Sequence, residues 1–255
     1  MFERISLEQL TEHVWLMDDA HEATGYVVIG EEKAAVIDTM NGHEDVLAVV
    51  RTLTDKPVTV INTHGHCDHI FGNIFFDSAY LHPDDLALAG EHGSFPEFLE
   101  ECEKLGLRMP PFLPVHDGDV FDLGGLHLQA VHLPGHTRGG ILLILREERI
   151  LFTGDTVNRH CWMQLDTSLP LREFLRNLER CAWVKQYADR ILHGHARGFE
   201  PIRLYDDMTQ GVRDLIAANG EGDRPYKWFG GEDRQHEFAP ESVICYARSK
   251  LENGI

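Results

Sequence analysis

The residues from His64 to His69 hold most of the chemistry this chain can do. Thr63-His64-Gly65-His66-Cys67-Asp68-His69 packs three imidazoles and one carboxylate into six residues, more metal-ligand capacity than a folding core has use for. Residues two apart on an extended or turning backbone point the same way, so His64 and His66 can grip one ion. Asp68 and His69, at the following turn, can face a second. Borderline divalent metals such as zinc accept both imidazole nitrogen and carboxylate oxygen. An affinity tag would sit at a terminus and repeat one residue type; this stretch does neither.

A hydrolytic metal site needs more ligands, and three later segments have the right form. Leu133-Pro134-Gly135-His136-Thr137 follows an apolar run and ends in a turn, placing His136 at the mouth of a strand. Ile150-Leu151-Phe152-Thr153-Gly154-Asp155-Thr156 is an apolar strand that stops at Gly-Asp, so Asp155 emerges at a strand end. Ile191-Leu192-His193-Gly194-His195 repeats the design with histidine. Apolar runs that stop at glycine and then present a ligand offer their side chains at one sheet edge. Each segment alone is a weak signal; the segments in this order are a strong one.

With these residues the chain resembles the metallo-β-lactamase superfamily, in its glyoxalase II-like and generic metallo-hydrolase branch, and the likeness runs from about residue 35 to about residue 197. The resemblance implies that His64, His66 and His136 hold one metal. It implies that Asp68, His69 and His195 hold the other, with Asp155 bridging the two. Asp38, in Val36-Ile37-Asp38-Thr39, resembles the family's early supporting aspartate. Both His193 and His195 are available as the last ligand. The family pattern puts that ligand directly after glycine, which favours His195, although Ala196 stands where a second glycine is common.

The implied cofactors are two divalent metal ions, zinc first and manganese or iron as alternatives. Two such ions about 3.5–4 Å apart share a water and lower its pKa toward neutrality. The implied function is therefore a dinuclear metallo-hydrolase that uses a bridging hydroxide to cleave a small ester, thioester or lactone. Asp68 and Asp155 are the implied catalytic carboxylates, Asp68 accepting the proton of the attacking water. No Gly-x-Ser-x-Gly elbow appears, and none is needed. A different enzyme class competes: a mononuclear iron, persulfide dioxygenase-like oxidoreductase, for which His64, His136 and Asp155 would supply the triad. A phosphodiesterase and a non-catalytic metal-binding module are the weaker alternatives.

Residues flanking the metal edge, His21, Arg159, His160, Trp162 and Met163, are candidates for a substrate pocket. Tyr226-Lys227-Trp228-Phe229-Gly230-Gly231 is a candidate lid carrying Trp228. Subfamily comparison is informative here. The glyoxalase II cap that binds glutathione is helical and rich in basic contacts, whereas residues 220–232 are acidic and Gly-rich. Quorum-quenching lactonases carry Tyr where Asn158 stands, and flavodiiron proteins carry Glu where His66 stands.

The elements that must position these ligands can be read from periodicity. Val14–Met17, Tyr26–Ile29 and Ala34–Ile37 read as consecutive strands with turns at Gly25 and Gly30-Glu31-Glu32. Residues 43–53 carry apolar groups at helical spacing, and Val58–Ile61 reads as the buried strand that delivers the His loop. Residues 83–90 and 96–105 read as helices with Pro in the first turn. Strands follow at 126–133, 141–145 and 150–152, then helices at 171–184 and 202–217 and a closing strand at 242–247. Two similar halves suggest two sheets stacked centrally with helices outside. The resemblance sharpens that to a four-layer αββα sandwich of two mixed sheets, one domain over residues 1–255.

Composition narrows the partners. The 255 residues carry a formal net charge of −19, a poor match to nucleic acid, which demands clustered Lys and Arg. A small-molecule substrate fits, since bound cations dominate the local field. No apolar run approaches transmembrane length, and the opening Met1-Phe2-Glu3-Arg4 lacks a signal-peptide pattern, so the expectation is a cytoplasmic protein without membrane partners. The five cysteines are scattered and form no CxxC pair, which argues against a disulfide framework or a thiolate zinc site. Oligomeric state carries no signal in the sequence.

Overall fold

The computed structural model describes residues 2–252. The first sheet has seven strands in sequence order: β1 (Ile5–Gln9), β2 (Val14–Asp19), β3 (Ala23–Ile29), β4 (Ala34–Ile37), β5 (Val58–Ile61), β6 (Ala79–Leu81) and β7 (Phe112–Pro114). It is antiparallel from β1 to β4 and parallel from β4 onward. The second sheet uses β8 (Val120–Asp122), β9 (His127–His132), β10 (Ile141–Leu145) and β11 (Ile150–Gly154). After β12 (His160–Met163) has left it, β13 (Arg190–His193) and β14 (Glu200–Pro201) complete the order β14-β13-β11-β10-β9-β8.

Alternation along the strands builds the layers. In β2 to β5, Val14, Leu16, Tyr26, Val28, Ala35, Ile37 and Ile61 face the second sheet, where they meet Leu128, Ala130, Ile141, Leu143, Phe152 and Leu192. Their neighbours Met17, Val27, Val36 and Val60 point the other way, onto Val46, Val49 and Val50 of α1 (Val46–Arg51). This helix starts where the Asp45 carboxylate accepts the Ala48 N–H at 2.9 Å, a side-chain N-cap. Short helices follow at α2 (Cys67–Ile70), α3 (Leu86–His92) and α4 (Pro96–Leu105). The outer face of the second sheet, with Leu142, Ile144, Leu151 and Ile191, is covered by α5 (Leu171–Cys181) and α6 (Arg203–Ala218). Leu171, Phe174, Leu178 and Cys181 put one stripe of α5 into this core, as a period of 3.6 residues requires. The result is the expected αββα sandwich.

The structure departs from the expected elements in informative places. Gly25 lies inside β3, not in a turn; a Cβ there would stand 2.5 Å from the Asp38 carbonyl oxygen, so glycine serves close strand approach. Residues 83–85 form a 3-10 turn ahead of α3. The largest departure is a third sheet of four strands, β12-β17-β16-β15, with β15 (Arg224–Trp228), β16 (Gly231–Ala239) and β17 (Ser242–Tyr246). The expected lid is thus the turn of the β15–β16 hairpin. The chain closes with α7 (Ser249–Glu252).

Candidate metal centre

All the candidate ligands leave the carboxyl ends of strands at one edge of the sandwich. β4 and β5 are parallel, and they end at Asp38 and at the His loop. β9 and β11 are each antiparallel to β10, and β13 is parallel to β11. The three therefore run together and deliver His136, Asp155 and His193–His195 to the same edge. Two glycines make the approach tight enough. A Cβ on Gly194 would stand 2.4 Å from Asp155 Oδ1 and 2.5 Å from His69 Cε1, and one on Gly154 (φ 49°) would meet Thr63 Oγ1 at 2.3 Å. A side chain at Gly194 would displace Asp155 and His69 themselves, and one at Gly154 would displace Thr63, which holds His64.

The structure gathers the candidates into two groups, His64, His66 and His136 in one, and Asp68, His69, Asp155 and His195 in the other, each with its donor atoms within 4.8 Å of one another. His136 Nε2 lies 2.9 Å from His66 Nδ1 and 3.9 Å from Asp155 Oδ2. In the second group Asp155 Oδ2 lies 3.0 Å from His195 Nε2 and 3.7 Å from His69 Nε2. Asp68 Oδ2 lies 3.5 Å from His195 Nε2 and 3.3 Å from His69 Nε2. Asp155 is therefore the carboxylate that touches both groups. His195, not His193, joins the cluster; His193 turns Nδ1 back to accept the His195 backbone N–H at 3.2 Å.

The opposite nitrogen of four of the five imidazoles, those of His64, His69, His136 and His195, is held by the protein, which sets which nitrogen faces the cluster. His136 Nδ1 donates to the Trp162 carbonyl at 2.6 Å, and His195 Nδ1 donates to the Glu22 carbonyl at 2.8 Å. Asp38 governs two more. One of its oxygens takes the Thr63 N–H at 2.7 Å; the other takes the Thr63 hydroxyl at 2.7 Å and His69 Nδ1 at 3.0 Å. Thr63 Oγ1 in turn lies 3.0 Å from His64 Nδ1. One buried carboxylate thus orients a histidine in each group.

These residues fit a metal. Among the described residues, His64 Nε2, His69 Nε2 and Asp155 Oδ1 are buried without a hydrogen-bond partner, an arrangement that costs stability unless something else satisfies them. Burial drives the pKa of His64, His66 and His136 down, keeping their lone pairs free. The second group behaves oppositely. Burial disfavours charge on His195, but Asp155 and Asp68 outweigh it and push its pKa up to about 9. Burial opposes ionisation of Asp155 too, but His195 and His69 hold the carboxyl well below its usual range. Without metal, protons on His69 and His195 neutralise the carboxylates; a cation would take over that role.

A cavity of about 1220 Å³ opens over this edge. His160, Trp162 and Trp228 line it, with Asp68, His92 and Phe229. Trp162 contacts Trp228 and Phe229 at ring-centroid distances of 5.7 Å and 5.8 Å. Arg159 also lines it, but its guanidinium is tied to Glu200 at 2.7 Å and 2.5 Å. Two expected pocket residues lie elsewhere. Met163 points into the core beneath α5, because side chains on β12 alternate and Trp162 takes the cavity face. His21 is exposed and held by Asp18 at 2.5 Å; the next residue, Glu22, lines the cavity.

Sequence reasoning missed Asp85 and His92. Asp85 is buried and accepts from Gly65 N (3.0 Å), Thr137 Oγ1 (2.7 Å) and Gly139 N (2.6 Å), locking the His64–His66 loop to the His136 loop. His92 Nδ1 accepts the Cys67 N–H at 2.8 Å, and its ring stacks on His66. Neither has a local signal: both sit in a short polar helical stretch, and their partners are distant in sequence.

The family model described as Metallo-beta-lactamase superfamily matches residues 19–230. An acyl-coenzyme A thioesterase of Bos taurus is 28% identical over 224 residues, covering 75% of this chain and 80% of that protein. An atrochrysone carboxyl ACP thioesterase of Pseudocercospora fijiensis is 25% identical over 197 residues, with 75% of this chain and 54% of that protein covered. Among solved structures, the DIM-1 metallo-beta-lactamase superposes with a TM-score of 0.63 at 17% identity, over 84% of this chain and 99% of that one. That last likeness speaks to the fold alone.

Proposed function

This chain belongs to the metallo-beta-lactamase superfamily, and from that membership we propose that it is a metal-dependent hydrolase of acyl thioesters carried on a small thiol arm. The observation that carries the chemistry is the buried, unpartnered His64 Nε2, His69 Nε2 and Asp155 Oδ1 at the floor of a cavity. The acyl-thioester class is supported by the thioesterase relatives and by the aromatic wall of Trp162, Trp228 and Phe229. Cavity and floor together are what a small-molecule substrate requires.

His64, His66 and His136 would hold one divalent ion, and Asp68, His69 and His195 a second, with Asp155 shared. Bound there, such ions supply Lewis acidity toward a thioester carbonyl and a water of near-neutral pKa. The chain's own residues do the rest. Asp68 is the floor carboxylate most open to the cavity, its side chain 29% exposed against 12% for Asp155, and accepts the proton from attacking water. Asp38 and the Trp162 and Glu22 carbonyls keep the imidazoles aimed. The aromatic wall binds the acyl chain and excludes water from that side.

Metal analysis of untagged protein, paired with thiol release from an acyl thioester, tests this. Close to two zinc or manganese ions per chain together with thiol release is the expected result. One iron per chain, with oxygen uptake on persulfide and no thiol release, would sink the hydrolase reading.

A further inference from the structure

The cavity holds a second feature, apart from the metal ligands. Gln164 is 5% exposed and lines the cavity, yet neither its amide nitrogen nor its amide oxygen has a hydrogen-bond partner among the described residues. Thr167 Oγ1 and Asn158 Oδ1 line the same space and are likewise buried and unpartnered. A carboxamide buried with both ends idle forfeits several hydrogen bonds, and a fold does not retain that arrangement for packing.

The segment is fastened, so these groups are held in place. Trp162 O takes the His136 ring, and Ser168 Oγ donates to the His136 carbonyl at 2.9 Å. Lys250 Nζ donates to the Ser168 carbonyl at 2.6 Å, and Leu169 N to the Gly135 carbonyl at 2.8 Å. Met163 is in register with Tyr246 of β17. On β12, His160 and Trp162 share the cavity face, and Gln164 continues that alternation just past the strand end. Asn158 Nδ2 meanwhile reaches back to the Asp155 carbonyl at 3.3 Å. Asn158 therefore sits on the turn that carries Asp155, and Gln164 and Thr167 sit on a segment fastened to the His136 turn, all lining the cavity that His136 and Asp155 also line.

We propose that Gln164, with Thr167 and Asn158, is a specificity subsite for a neutral amide in the thiol arm of the substrate, the group found two carbons from the sulfur in a pantetheine-type arm. A secondary amide offers one N–H and one carbonyl, the complement of a carboxamide that presents an oxygen and an NH₂ side by side. Gln164 Oε1 accepts the N–H that only the amide carries, and Thr167 Oγ1 donates to the carbonyl that amide and ester share, with Asn158 Oδ1 beside them as a further acceptor. A free anion suits the place less well, because the carboxylates of Glu22, Glu91, Asp166 and Glu241 outnumber Arg197 on the cavity wall and Arg159 is already paired with Glu200. The subsite rests on the thioesterase reading for its substrate, but not for its existence.

Two substrate pairs separate the questions. The first is S-octanoyl-N-acetylcysteamine against its ester isostere, S-octanoyl-2-acetoxyethanethiol, which lacks the N–H. The second is the matching S-octyl thioethers, which cannot be hydrolysed, with binding read from the fluorescence of the cavity tryptophans. The wild type should favour the amide thioester in kcat/KM by about ten-fold, the worth of one buried hydrogen bond. Gln164→Leu should abolish that preference in both pairs, while cleavage of the ester isostere stays within about three-fold of wild type, and Gln164→Asn should restore part of it. Equal use of both thioesters by the wild type, or an equal loss on both in Gln164→Leu, overturns the subsite and leaves the thioesterase reading intact. No cleavage of either thioester, with the thioether pair still discriminated in binding, overturns the thioesterase reading and upholds the subsite.

Discussion

The floor of the cavity and its wall are made in different ways. The floor is strand ends: Asp38, His64, His66, His136, Asp155 and His195 each follow a buried strand, and side chains or carbonyls of distant segments fix the rings of His69, His136 and His195 while neighbouring Thr63 holds that of His64. The wall is a third sheet whose β15–β16 hairpin carries Trp228 and ends in Phe229, 88% exposed. The floor couples its members through shared atoms; the wall's aromatic members touch through tilted and edge-on ring contacts. β12 ties the wall to the floor through the Trp162 carbonyl on His136, and the β15–β16 hairpin beyond it is insulated from the chemistry.

Removing Asp155 should produce the largest effect. Its Oδ2 touches His69, His136 and His195, so Asp155→Ala should strip both groups. Metal content should fall well below one ion per chain, and kcat/KM should drop by about 10³-fold or more. His136→Ala should mainly empty its own group. If Asp155→Ala and His136→Ala lose equal metal, the floor is not built around a shared carboxylate.

Asp38→Ala comes next. No donor atom facing the cavity is removed, but His69 and Thr63 lose their common acceptor. Metal affinity should weaken by about 10- to 100-fold, measured by competition with a chelating dye, with the wall's fluorescence unchanged.

What could be read in advance follows the same division. The clustered His and Asp residues were legible because chemistry restricts residue type and strand ends restrict spacing, as in Gly154-Asp155 and Gly194-His195. Asp38 was legible through its place after Val36-Ile37. The wall was not. β15 reads Arg-Pro-Tyr-Lys-Trp, with only Tyr226 and Trp228 half-buried on one face, an alternation too short to announce a strand. On β12, Arg159, His160, Trp162 and Met163 read as one run, whereas strand alternation sends Met163 into the core and brings Gln164 forward. Asp85 was silent because its partners lie 20, 52 and 54 residues away.

The pH response of chelator-treated protein separates the two regions without mutation of the wall. His195 is raised to about 9 in the fold from about 6.5 unfolded. Its contribution to stability is therefore full below about pH 6.5 and is lost as pH rises through 9. His64, His66 and His136, lowered by burial, are neutral in both states above about pH 7.5 and do not mask the fall there. His69, raised by Asp68, Asp155 and Asp38 against the opposing effect of burial, adds to it. The melting temperature of metal-free protein should fall between pH 6.5 and 9.5, and His195→Gln should flatten that fall. Metal-loaded protein should show the opposite trend in metal affinity, because each proton lost frees a ligand.

Phe229→Ala should give the smallest effect on the fold and the most specific one on function. With 88% of the residue exposed, its removal should change stability by no more than about 0.5 kcal/mol. Phe229 nonetheless packs on Trp228 at 4.8 Å and Trp162 at 5.8 Å, and its ring extends the surface offered to an acyl chain. KM for a long-chain thioester should rise by about three- to ten-fold, the worth of part of an aromatic contact, while kcat, metal content and KM for a short-chain thioester hold steady. A fall in kcat or in bound metal would mean that the hairpin reaches the floor after all, and the insulation of chemistry from substrate choice would be lost. A rise confined to the long chain would place Phe229 against the acyl tail and leave Gln164 to the thiol arm, so that the two ends of one substrate are read by two separate parts of the wall.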